Sequence, residues 1–283
     1  MFSLKIQNTN GEIFELTHNS PNYYITSVQG LTPPPTAVNT ATAGTIDGSF
    51  FNSARVEKRN IVITVVINGD IESNRQLLYK IFPRKTKCTV FFKNENRNVK
   101  IDGYVETLEG DLFSMREQMQ ISIICPRPYF QALETLYTEL SKILALFEFP
   151  FSIWDPIPFS EILDVPIAII DNTGDAACGT LIDIDFKGNA TGLKIANTTA
   201  QTYFELDYTF QDNDRVTINT NSGQMGVTLQ RAGVKINLLN YVTQGSTWLR
   251  ILPGANQFTY TLASGDAEDV IIHFTTALLY GGV

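Results

Sequence analysis

Residues 118 to 158 constrain this chain more than any other stretch. A strand with two-residue alternation, Gln118 to Ile124, runs into Cys125-Pro126-Arg127-Pro128-Tyr129-Phe130, and further on comes Phe149-Pro150-Phe151-Ser152-Ile153-Trp154-Asp155-Pro156-Ile157-Pro158. Proline has no N–H to donate and holds φ fixed, so neither cluster continues a central strand or a helix. Between them Leu133, Leu136, Tyr137, Leu140, Ile143, Leu144 and Phe147 recur at three- and four-residue steps, which predicts an amphipathic helix. Residues 131–160 therefore read as a linker helix and proline-rich connector between a domain over 1–130 and another over 161–283. At 283 residues the chain has room for both.

Each flank reads as strand after strand. Leu4 to Gln7 and Ile13 to Leu16, joined through Asn8-Thr9-Asn10-Gly11, predict a hairpin. The β-branched run Ile61-Val62-Ile63-Thr64-Val65-Val66-Ile67 suits a strand covered on both faces. After the turn at Asn68-Gly69-Asp70, Ser73 is placed to cap a short helix that carries Leu77, Leu78, Ile81 and Phe82 and stops at Pro83. Strands resume at Cys88 to Phe92 and Val99 to Glu106. Beyond the connector, short strands are separated by Gly188-Asn189, Asn221-Ser222-Gly223, Pro253-Gly254 and Ser264-Gly265-Asp266, the punctuation of an antiparallel sandwich. The expected fold is mainly β: an N-terminal sandwich or barrel-like domain with a short helix, the linker helix, and a C-terminal antiparallel β-sandwich. Gly30 to Gly44 fits neither domain. Three successive prolines stiffen it, which predicts an extended arm with Leu31, Pro33, Pro34, Pro35 and Val38 as contact residues.

Charge is divided unevenly. Residues 1–130 carry fourteen basic and twelve acidic side chains, net +2, whereas residues 131–283 carry seven and seventeen, net −10. Arg84, Lys85, Lys87, Lys93, Arg97 and Lys100, with Phe91 and Phe92 among them, have the composition of a nucleic-acid patch, but the acidic total favours strand edges protected by charge or facing an acidic partner. Cys88, Cys125 and Cys178 are odd in number and widely spaced, which argues against a disulfide framework or zinc ribbon. Met1 to Asn8 has no basic stretch followed by an apolar core, and no apolar run approaches the ~18 residues of a membrane helix, so neither secretion nor membrane insertion is expected.

No residue pattern demands catalysis. His18 and His273 are isolated, the first in a turn setting and the second in a strand. Asp183/Asp185 and Glu205/Asp207 each place two carboxylates on one strand face, as glycoside cleavage or calcium binding would need, yet their apolar neighbours alternate as on a strand with one wet side. Asp212-Asn213-Asp214 opens like a calcium loop but lacks the glycine and distal glutamate that follow, so a tight turn is the better reading. Tyr203 and Trp248 are the candidates for stacking on sugar rings, and Trp154 is read as an anchor of the linker. No catalytic, metal or cofactor site is expected.

Several of these pieces occur together in an order that resembles the distal tail proteins, or Dit, of siphophages and related prophages. They are Asp47-Gly48, Arg59 leading its apolar strand, Arg75-Gln76-Leu77-Leu78-Tyr79-Lys80-Ile81-Phe82, Ile101-Asp102-Gly103-Tyr104-Val105-Glu106 and Gln120 to Phe130; in the second half, Asn172-Thr173-Gly174-Asp175, Gly179 to Phe186, Asn237-Leu238-Leu239-Asn240-Tyr241, Gly245 to Leu249, Pro253-Gly254-Ala255-Asn256 and Tyr280-Gly281-Gly282. The resemblance implies a non-enzymatic virion component at the distal tail tip, assembled in the host cytoplasm. It implies a homohexameric ring whose first domains enclose a channel for the genome without sequence-specific contact. The neighbours it implies are the tail tube, the tape-measure protein and the tail-associated hub or baseplate. Second domains of this family look like galectins and carbohydrate-binding modules, which keeps a carbohydrate-binding adhesin as the alternative; the absence of a long insertion there weighs against it.

Overall fold

The computed structural model describes residues 2–16, 20–42, 44, 47–111, 114, 116–141, 143–145, 160–162 and 166–283. His18, Phe147 and the Phe149 to Pro158 run, with Trp154, lie outside the described residues. The chain divides into two compact units: Met1–Leu133 together with Leu279–Val283, and Glu134–Leu278.

The strands of the first unit are β1 (Ser3–Asn8), β2 (Ile13–Leu16), β3 (Tyr23–Gln29), β4 (Thr36–Ala41), β5 (Phe50–Val56), β6 (Arg59–Ile67), β7 (Lys87–Lys93), β8 (Asn98–Gly110) and β9 (Gln118–Cys125), followed by the start of β10 (Phe130–Leu140). β1 and β2 form the expected hairpin, Leu4 opposite Leu16 and Ile6 opposite Phe14, with all four side chains buried. β8 organises the rest. Its first half, through Tyr104, pairs with β7, and its second half, through Gly110, pairs with β9, with a bulge between Val105 and Thr107. A strand that changes partners at a bulge turns one sheet into the next and encloses a core, here Ile6, Ile61, Ile63, Val90, Val99, Ile121 and their neighbours.

The one α-helix among the described residues, α1 (Ile71–Ile81), begins earlier than the sequence suggests. Asp70 is the N-cap: its carboxylate accepts from the Ser73 N–H at 3.3 Å and from the Ser73 hydroxyl at 2.7 Å, so Ser73 is the capped residue and not the cap. Phe82, just past the helix, meets Phe14 edge-on at 5.7 Å and fixes α1 to β2.

The linker helix does not form over residues 131–140, which belong to strand β10. Gln131 and Ala132 pair with Lys100 and Val99 of β8, and from Glu134 onward β10 belongs to the second unit, where it borders the last strand. Only Phe130 and Leu140 of this strand are buried, while Leu133, Leu136 and Tyr137, three of the four stripe residues it carries, stand exposed. Open strand edges supplied the backbone hydrogen bonds instead, and tertiary context outweighed a weak local pattern. After β10 come β11 (Ile143–Ala145) and β12 (Ser160–Ile162), paired antiparallel.

The second unit continues with β13 (Ile167–Asn172), β14 (Leu181–Phe186), β15 (Ala190–Asn197), β16 (Thr202–Phe210), β17 (Arg215–Asn219), β18 (Gly226–Arg231), β19 (Val234–Asn237), β20 (Gly254–Ser264) and β21 (Val270–Tyr280). One sheet runs β19-β18-β17-β14-β21-β10 and the other β13-β20-β15-β16. They pack face to face: Phe186 stacks on Phe210 at 4.3 Å and Phe258 meets Phe274 at 4.8 Å. Along β14, Ile182, Ile184 and Phe186 point into this core and Asp183 and Asp185 away from it, the alternation expected of a half-wet strand. The stretch Trp248 to Leu252 makes an isolated bridge between Ile251 and Cys178.

Where β8 changes partners, Gly103 lies so close to β9 that a Cβ there would stand 2.5 Å from Ile123 Cγ2 and 2.9 Å from Cys125 Sγ. Gly103→Ala is therefore expected to destabilise the first unit by about 1–3 kcal/mol, the usual cost of overpacking a core, measurable as a lowered denaturation midpoint with an unchanged far-ultraviolet spectrum.

Candidate assembly site: an exposed hairpin and its arginine anchor

Residues 36–56 contain the least supported part of the described structure. β4 and β5 pair only with each other, in register from Thr36 opposite Val56 to Ala41 opposite Phe50, with a bulge at Asn39/Thr40. Every residue of β4 is exposed and every residue of β5 except Val56. Val38 is 58% exposed, Phe50 58% and Phe51 67%. The predicted arm is thus half of a hairpin. Leu31 sits half-buried against the first unit's core, Pro33 and Pro34 lie at the hairpin base, the Pro35 carbonyl accepts from the Glu57 N–H at 3.0 Å, and only Val38 of the five is carried out on the ribbon.

Phe50 and Phe51 were missed in the sequence, although a signal was present. Two adjacent aromatics in a strand point to opposite faces, so whichever face is buried, one ring must be left out. In an isolated ribbon both are.

The base of the hairpin is held by Arg59, the first residue of β6, only 1% exposed. Its Nε donates to the Pro128 carbonyl at 2.7 Å, one terminal nitrogen to the carbonyls of Gly30 and of Thr32 (2.7 Å), and the other to the Gly281 carbonyl at 2.5 Å. The guanidinium lies over the Phe130 ring, 4.4 Å from its centroid. Burial lowers the Arg59 pKa below the usual arginine value, against a smaller opposing effect of Cys125; an arginine so shifted remains a cation. Gly30 turns the chain out of β3 with φ of +83°, and a Cβ there would fall 2.0 Å from the Asn60 carbonyl oxygen, so no other residue fits. Alongside, the Val283 N–H donates to the Leu31 carbonyl at 3.1 Å, and Tyr280 lies under Arg97 at 4.0 Å. Residues 279–283 are therefore structural parts of the first unit.

Elsewhere the groups weighed for chemistry are engaged structurally. Asp185 takes both prongs of Arg215, at 2.7 and 3.0 Å, and Asp183 accepts from Thr217 at 2.6 Å. Glu205 faces Lys194 at 3.7 Å. Asp214 accepts from the Gln211 N–H at 2.8 Å and from Arg231 at 2.8 and 2.5 Å, which makes residues 211–214 the tight turn that was expected. His273 stacks on Tyr137, whose hydroxyl is 2.5 Å from Nδ1. Tyr203 carries the Lys194 ammonium 4.1 Å over its ring, and Trp248 leans on Phe204 at 5.1 Å. The three cysteines are buried and free. Among the described residues no group of potential metal ligands occurs, and no helix is long and apolar enough to cross a membrane.

Two antiparallel β units, the first carrying an exposed hairpin, define a mainly β protein. Residues 11–125 match the family profile described as phage tail protein RIFT-related domain, and residues 173–277 match siphovirus-type tail component, C-terminal domain. The chain belongs to the siphophage distal tail protein family and is a structural component of a phage tail. Its fold is similar to the crystal structure of SPP1 Dit (gp 19.1), a hub of the adsorption apparatus in phages infecting Gram-positive hosts, at 14% identity, with 97% of this chain and 99% of that one covered and a TM-score of 0.69. It is also similar to a chain of the phage P2 baseplate in its activated conformation with calcium, at 13% identity, 97% and 98% coverage and a TM-score of 0.53. The strontium form of that baseplate gives 13%, 98% and 98%, and 0.51. No curated protein matches the sequence.

Arg59→Met is expected to remove the donor shared by four backbone carbonyls and cost about 3 kcal/mol, with Arg59→Lys recovering only part because an ammonium cannot reproduce the planar fork; chemical denaturation of the two variants checks this. Asp214 supplies a pH test. Burial pushes its carboxyl up, but the Arg231 fork and the Gln211 N–H outweigh this and hold it below the usual range. Its contribution is complete above the unfolded value near 4 and is lost as pH falls through the lower folded value. Asp214→Asn is expected to cost about 2 kcal/mol at pH 7, with the gap to the parent closing as pH falls below 4.

Proposed function

We propose that this protein forms a homohexameric ring at the distal end of a siphophage tail tube, joining the tube and tape-measure protein to the tail-associated hub or baseplate. In this reading the first units enclose the channel, which the genome crosses without sequence-specific contact. The second units, which hold most of the acidic residues, face outward, where net charge keeps the rim soluble and orients approaching partners. The subunit assembles in the host cytoplasm and ends in the virion at the tail tip.

The observation that carries the reading is the hairpin. A ribbon exposed on both faces, with two aromatics at its far end, makes sense in a protein that is never alone, and membership of a phage-tail family supports an assembly of that kind. Proline stiffening at Pro33, Pro34 and Pro35 reduces the conformational entropy lost when the arm crosses a subunit boundary. The alternative, a carbohydrate-binding adhesin, requires Tyr203 and Trp248 to exchange their present contacts for a sugar. Saturable glycan binding lost in Tyr203→Ala or Trp248→Ala would favour it.

Native mass measurement and electron microscopy of the purified full chain test the ring, with tail tips imaged in parallel in case assembly needs a neighbour. Six-fold closed rings are the expected result; a monomer at high concentration together with a tail tip lacking a six-fold ring of this chain overturns it. Replacing both Phe50 and Phe51 by serine removes about 3–6 kcal/mol of apolar burial per contact, and is expected to weaken association at least a hundredfold while leaving the monomer folded.

A further inference from the structure

An isolated two-stranded ribbon is marginal in water and needs a third strand, a helix or a surface beneath it. Among the described residues no third strand pairs with β4 or β5. The same unit carries a recess of about 270 Å³ on the outer face of the β2-β1-β7-β8 sheet. Its apolar lining comes from Ile13, Phe91 and Leu133, and Lys5 and Lys93 line it as well. Ile13 is 62% exposed, an unusual degree for an isoleucine in a sheet whose alternate side chains are wholly buried. Among the described residues β2, which carries it, pairs only with β1 and ends the sheet.

Size and chemistry match the protrusion to the recess. A cavity of roughly 150 Å³ accommodates benzene, so 270 Å³ takes a phenyl ring with space for its backbone to approach. Asp47, near the turn between the two ribbon strands, offers a carboxylate to the lysine side chains, and the edge of β2 offers main-chain groups to an incoming strand. A protrusion and a complementary recess on one molecule make a heterologous contact, which generates a ring when its rotation closes.

We propose that the recess lined by Ile13, Phe91 and Leu133 receives Phe51 of the hairpin of the adjacent copy. This rests on the ring reading for its closure, but the contact itself needs only two copies. Lys93 orients the hairpin end through Asp47, Lys5 being paired with Glu15 at 3.2 Å, and the ribbon gains a supporting surface.

The test uses two full-length variants, Phe51→Cys and Ile13→Cys, mixed and oxidised, both as free protein and in assembled tail particles. The native thiols are silent, because burial pushes Cys88 and Cys125 up to about 12 and Cys178 up to about 11, leaving almost no thiolate near neutrality. The expected product is a disulfide joining one variant to the other, reduced at least tenfold when Lys93→Glu is added to the Ile13→Cys chain. Repeating the experiment with Leu133→Cys guards against a fault peculiar to β2. Closed rings without the mixed disulfide overturn the recess contact and leave the ring standing. Mixed disulfides in open chains support the contact and overturn the ring. Phe51–Phe51 cross-links alone, or no cross-link in either sample, overturn the contact.

Discussion

A guanidinium buried away from water must find an acceptor for its N–H groups or lose several kcal/mol. Arg59 does so with backbone carbonyls from residues 30, 32, 128 and 281. Three stretches remote in sequence converge on one side chain: the entry to the hairpin, the turn between β9 and β10, and residues 279–283. Because the acceptors are carbonyls fixed by their own backbone, the arginine holds positions and not merely charge. The hairpin's stance, the end of the first sheet and the docking of residues 279–283 stand or fall together.

That anchoring explains how an exposed ribbon can be useful. A floppy arm would have to be ordered on each encounter, whereas one whose base is fixed by Arg59 and by the obligatory glycine at residue 30 presents Phe50 and Phe51 in a restricted region of space. The division of labour is consistent across levels. The first unit contains the hairpin, an open sheet edge, a recess and most of the basic residues; the second is a net-acidic sandwich in which Asp185 pairs with Arg215 and the buried Asp214 with Arg231. Neither needs a reactive centre to act in an assembly.

Much of the architecture was legible because two-residue alternation is a strong signal when one face is buried. β9 was read close to its true limits for that reason, while β1 and β2 followed from the Asn-Gly turn between them and β6 from its β-branched run. The linker over 131–140 was misread because Leu133, Leu136, Tyr137 and Leu140 satisfy a helical template by spacing alone, and spacing does not reveal that two sheets have edges waiting for a strand. The candidate site was half legible. Three prolines announced an extended segment, but the partner strand β5, with its exposed aromatics, gives no local sign that it will pair with the arm instead of entering a core.

The sequence by itself determined that this is a two-part β protein lacking the residue patterns of catalysis, metal binding or membrane-spanning helices, because alternation, turn chemistry and composition are local properties. Its ordered short motifs also carried the family resemblance. Tertiary structure alone decided that Arg59 is an anchor, that residues 279–283 complete the first unit, that β10 is a strand and that the arm is a hairpin standing free. Each of these depends on which distant backbone groups lack a partner, and such a need exists only once the rest of the chain has folded around it.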